Sequence, residues 1–135
     1  MASFTYTVWS DCDKASVLKS MTGVFSNIGY SLRNESTGKL HAWLEPGELS
    51  LFDVGKFSIE DGPHEQIGIQ WWSGDNDIYV TFSSEPSVGG TTCYVTLVGL
   101  PRSEEAEIAR LLILNIIPDK RRFPVDWPVF KLSAD

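Results

Sequence analysis

Two histidines, two cysteines and eighteen acidic residues are the side chains from which this 135-residue chain could assemble a reactive site. None stands at a spacing that defines one. His41 and His64 are far apart in sequence, and Cys12 and Cys93 are isolated. Without an H-x-x-x-H or C-x-x-C pair, no metal site is expected. Asp75-Asn76-Asp77 offers oxygen ligands but lacks the glycine and distal glutamate of a calcium loop, so it reads as a turn. The histidines read as exposed strand or loop residues. No Gly-x-Ser-x-Gly elbow occurs, and neither cysteine has a histidine near it in sequence. Cys93 alternates with Val95 and Leu97, as a small buried residue would. Gly89-Gly90 has neither the spacing nor the lysine of a phosphate loop. Paired carboxylates can always be drawn from eighteen acids, so their abundance points to no acid–base couple. The reading leans against an enzyme, and assigns no catalytic residue and no cofactor.

The charge distribution is more informative. The formal charge is −7 and the isoelectric point near 4.7, against the clustered lysine and arginine that nucleic-acid binding needs. Residues 1–39 sum to +1, residues 40–101 to −8, and residues 102–135 to zero. Residues 40–101 hold nine acids against Lys56 alone. Such a segment is either a solvated sheet whose acids discourage edge pairing, or a surface that steers a basic partner. The longest apolar run, Leu111-Leu112-Ile113-Leu114, is far short of the roughly 20 residues of a membrane helix. No charged-then-apolar leader precedes Phe4, and two cysteines make no disulfide framework. A cytoplasmic protein with both thiols reduced is expected.

The elements that must carry these residues follow from their periods. Phe4, Tyr6 and Val8 alternate as in a strand. Val17, Leu18, Met21, Val24, Phe25 and Ile28 form one helical stripe, with Asp11 or Asp13 as cap and Gly29 after the last turn. From Tyr30 to Val98 the helical period is absent. Tyr30–Glu35 and Lys39–Glu45 flank a Ser36-Thr37-Gly38 turn, and Leu49–Val54 with Lys56–Glu60 reads as one bulged strand. Ile67, Ile69 and Trp71 share a face, as do Ile78, Val80 and Phe82 across the Ser73-Gly74-Asp75-Asn76 turn. Cys93, Val95 and Leu97 close the run. Ser103 caps a second helix, with Glu104, Glu105 and Glu107 suiting its dipole, Ile108, Leu111, Leu112 and Ile116 or Ile117 as its apolar face, and Pro118 as its stop. The tail, residues 119–135, carries Phe123, Trp127 and Phe130 between prolines and should pack on the body.

The expectation is therefore one domain spanning residues 1–135. Its fold class is α+β: an antiparallel sheet of about five to seven strands in meander order, with two helices on one face. This β-α-β(5–6)-α two-layer sandwich is similar, at the level of fold alone, to TATA-box-binding-protein-like and helix-grip folds. The helices should span residues near 12–28 and 103–117, with Val17, Leu18, Met21, Phe25, Ile69, Trp71, Val80, Phe82, Val95, Leu97, Leu111 and Leu112 as core. Trp72 should point away from that core, and Trp43 likewise, unless the aromatic tail covers them.

The functional expectation is a small acidic protein-binding module, an inhibitor or immunity-type protein that masks a basic partner such as a nuclease toxin. Bacterial immunity proteins and phage-encoded inhibitors are alike in class: small, acidic and free of motifs. Glu60, Asp61, Glu65, Trp72, Asp75 and Asp77 are the expected partner-binding residues, the acids standing where substrate phosphates would sit and Trp72 supplying apolar contact. No direct contact with nucleic acid or membrane is expected. The alternative is a helix-grip-like module that binds a small molecule in a hydrophobic cleft between sheet and helix.

Overall fold

The structure is a computed structural model that describes residues 3–45, 47–59, 66–119, 122–124 and 126–134. Its centre is a seven-stranded antiparallel sheet with two helices on one face. Strand β1 (Ser3–Ser10) leads into helix α1 (Lys14–Ser26), followed by β2 (Leu40–Glu45), β3 (Glu48–Phe52), β4 (Gln66–Ser73), β5 (Asn76–Ser84) and β6 (Thr91–Val98). Helix α2 (Arg102–Asn115) and strand β7 (Phe130–Ala134) complete the chain.

The order across the sheet is β3-β2-β4-β5-β6-β1-β7, which corrects the expected meander. Strand β2 pairs with both β3 and β4, so β3 is displaced to an edge. The physical reason lies in β3 itself. Leu49 and Leu51 are 44% and 47% exposed, and beyond Phe52 the chain makes a short 3-10 turn at Val54–Lys56 instead of a tight hairpin. That turn also corrects the bulged strand expected through Lys56–Glu60, of which Glu60 lies outside the described residues. The expected Tyr30–Glu35 arm reduces to isolated bridges, Ser31 with Trp72 and Arg33 with Leu40.

The helices form where the stripe places them. Asp13 caps α1 by accepting from the Ser16 N–H at 2.9 Å, and that bond holds the Asp13 carboxyl below its ordinary pKa. The chain leaves α1 through a Schellman pair, Tyr30 N–H to Phe25 C=O at 2.9 Å and Gly29 N–H to Ser26 C=O at 3.1 Å. The position before α2 is Pro101, not Ser103, which lies inside the helix. Val17, Met21, Val24 and Phe25 of α1 and Ile108 and Leu112 of α2 join Ile69, Trp71, Val80, Phe82, Val95 and Leu97 in one buried core. Leu18 and Leu111, expected in it, are only partly buried at its margin. Phe25 meets Trp71 edge-on at 5.0 Å, filling the space between helix and sheet.

The end of the tail, Phe130–Ala134, forms an edge strand. Strand β7 pairs with β1 from Phe4↔Ala134 to Val8↔Phe130, and Phe130 stacks on Tyr6 at 5.9 Å. It therefore lies at the opposite edge of the sheet from β2 and β3, and these residues do not cover Trp43 or Trp72.

Candidate functional site: the helix-free face of the sheet

Among the described residues no helix lies over one face of the sheet. Register assigns its side chains: Thr5 and Thr7 of β1, Tyr94 and Thr96 of β6, Tyr79 and Thr81 of β5, Gly68, Gln70 and Trp72 of β4, His41 and Trp43 of β2, and Leu49 and Leu51 of β3. The face has two halves. Around β1 and β6 it is threonine-rich, with the hydroxyls of Thr5 and Thr96 in contact at 3.4 Å. Around β2, β3 and β4 it is aromatic and apolar.

The aromatic half is tied together by hydrogen bonds and ring contacts. Trp72 exchanges two backbone hydrogen bonds with Ser31, at 2.8 and 2.6 Å, and its ring meets His41 edge-on at 5.1 Å. Asp77 stands directly opposite Trp72 in the register. The Trp43 indole donates to Gln70 Oε1 at 2.8 Å, and Gln70 Nε2 donates to Asp77 Oδ2 at 2.9 Å. These two bonds fix which way the Gln70 amide faces and present the carboxylate beside two indoles. Gly68 has a packing role here. A Cβ at this position would lie 2.1 Å from Tyr79 Oη, so the Tyr79 ring lies over the glycine. Trp43, Gly68, Tyr79 and Thr81 border a depression of about 230 Å³, and a second, of about 370 Å³, lies between Trp72, Arg33, Glu35 and Gly74.

The expected site residues divide accordingly. Trp72 and Asp77 are brought together on this face. Asp75 is exposed in the adjoining β4–β5 turn, where Gly74 has φ 61°, the positive φ that a two-residue hairpin turn needs. Glu60, Asp61 and Glu65 lie outside the described residues. The described acids of residues 40–101 are not a single sheet of charge. Asp53 is paired with Lys39 and, at 3.7 Å, with Lys56, which lowers its pKa, chiefly through the Lys39 bond. Glu85 begins the β5–β6 loop, away from β2.

Trp43, Gln70 and Tyr79 were not singled out as a unit by spacing. Their association arises from pairing across three strands, and only the alternation that puts Trp43 opposite the core residues Ala42 and Leu40 hinted at it. His41, expected exposed, is 8% exposed: Thr37 Oγ1 lies 2.8 Å from its Nε2, and burial lowers its pKa. His64 lies outside the described residues. Cys93 is buried, with its thiol pKa pushed up by burial, and Cys12 is exposed, both as free thiols. Among the described residues no helix is long and apolar enough to cross a membrane. On the helix side a groove of about 320 Å³ runs along α1, lined by Ala15, Leu18, Leu32 and Phe57.

Comparison of the chain with protein-family models, with curated proteins and with solved structures returned no match.

Proposed function

We propose that this protein is a small acidic binding module that engages a basic protein through the aromatic half of its helix-free sheet face. The observation that carries the reading is the Trp43–Gln70–Asp77 chain beside Trp72, a fixed carboxylate set among indoles on a face that no helix covers. Aromatic anchors with a charged group at their margin are the composition of protein interfaces. The net charge of −7 adds a field that speeds approach of a cationic surface. In its specific form the proposal is an inhibitor or immunity-type protein: Asp77 and Asp75 occupy positions that a nuclease's substrate phosphates would take, and Trp72 makes the apolar contact. The cytoplasm is the proposed compartment. The small-molecule alternative receives less support, because Phe25, Met21, Trp71 and Phe82 are fully buried and fill the space between α1 and the sheet.

The test is affinity capture from the source organism with wild type and with a Trp72→Ala/Asp77→Asn double variant. The expected partner has a basic isoelectric point, is released by high salt, is missing from the variant, and loses its own activity when the wild-type chain is added. A partner held equally by both forms of the chain contradicts the reading.

A further inference from the structure

We propose that β3 is an acceptor edge, to which an extended basic segment of the partner adds as an eighth strand. The inference rests on the binding reading above and names how the partner is held.

Among the described residues strand β3 pairs with β2 alone, so a row of its backbone N–H and C=O groups faces outward. Proteins normally blunt such edges with charge, proline or irregularity. The other edge follows that rule, since β7 carries Lys131 within the strand. Strand β3 is blunted only at its start: Glu48 is its first residue, Leu49, Ser50, Leu51 and Phe52 follow without charge, and the Asp53 carboxylate beyond them is taken up by Lys39 and Lys56. The register shift in the β2–β3 pair is confined to Trp43/Glu45, which leaves Leu49 to Phe52 regularly extended.

The side chains match what an added strand needs. Leu49 and Leu51 lie on the helix-free face, opposite Trp43 and His41, and both are more than two-fifths exposed. Alternate residues of an incoming strand would lie beside these leucines and extend the aromatic patch across the edge. Charge selects the occupant. Exposed Glu48 opens the strand with a negative charge. The whole molecule carries −7, so a second copy of this chain is repelled and a cationic strand is drawn in. The partner segment is therefore one that alternates apolar residues with lysine or arginine.

Hydrogen exchange on the full-length chain tests this. The probes are an octapeptide alternating lysine and valine, one alternating glutamate and valine, and one with four lysines followed by four valines, all at low ionic strength. The lysine–valine peptide should slow exchange of residues 48–52 by about tenfold or more, with no change at β7, and the other two peptides should not. Leu51→Lys, a substitution at a half-exposed edge position, should abolish the protection while leaving the melting curve in place. No protection at β3, equal protection from the glutamate peptide, or equal protection at β7 would overturn the proposal. So would a β3-mediated dimer by sedimentation without peptide, which would make a second copy the occupant. The two readings fail separately: partner capture that needs Trp72 and Asp77 but ignores Leu51→Lys would sink the edge and keep the face. Capture indifferent to Trp72 and Asp77 would sink the face itself.

Discussion

At the scale of single residues, the helix-free face depends on two contacts that composition does not reveal. Tyr79 lies across Gly68, so Gly68→Ala must displace the ring and should cost about 1–3 kcal/mol, as overpacking does. If the ring is the obstacle, the same change in a Tyr79→Ala background should cost much less, and urea unfolding of the four-member cycle measures that coupling. His41 gives a second test. Burial favours its neutral form, so the unfolded chain takes up a proton at a higher pH than the folded one. Its contribution to stability is complete above the unfolded pKa of about 6.5 and is lost as pH falls below it. Urea midpoints should drop between about pH 7.5 and pH 5.5, and His41→Gln should flatten that slope. Both features were hidden in the sequence for the same reason: a strand residue's partner is set by pairing, not by its neighbours in the chain. Trp9 shows this most plainly. It has the outward parity of Thr5 and Thr7, yet it is 2% exposed and its indole donates to Gly89 C=O at 3.0 Å, in the loop before β6.

At the scale of elements, local signals were legible and long-range ones were not. Helix α1 was readable because stripe, cap and terminal glycine agree, and β4 and β5 because strict alternation flanks a two-residue glycine turn. The position of β2 between β3 and β4 was not readable, since a hairpin partner and a distant partner leave the same alternation in Leu40–Glu45. Strand β7 was missed as a strand because its last four residues are exposed and only pairing with β1 orders it. Helix α2 allows a prediction at this scale. Leu112 is fully buried and Ile113 is 48% exposed, so Leu112→Ala should cost about 2–5 kcal/mol and Ile113→Ala well under half of that. Equal costs would mean that α2 is rotated about its axis from the position described.

At the scale of the whole molecule, the charge excess read from the sequence survives, but its distribution changes. Ion pairing takes up Asp53, Asp11 is bonded to Arg122, and Glu107 to Arg110. Asp77 is presented on the aromatic face, with Asp75 at its margin. This is half legible: alternation puts Trp72, Trp43 and Asp77 on the outward face, whereas the Gln70 bonds that join Trp43 to the carboxylate appear only with the fold. The most direct test of the binding claim is association kinetics with the captured partner, for wild type, Asp77→Asn and Trp72→Ala, at low and high salt. The Debye length shrinks from about 10 Å at 0.1 M to about 3 Å at 1 M, so wild-type association should slow as salt rises. Asp77→Asn should slow association and flatten its salt dependence, while Trp72→Ala should raise the off-rate and weaken binding by about 2 kcal/mol or more. Rates indifferent to salt and to both substitutions would contradict the account.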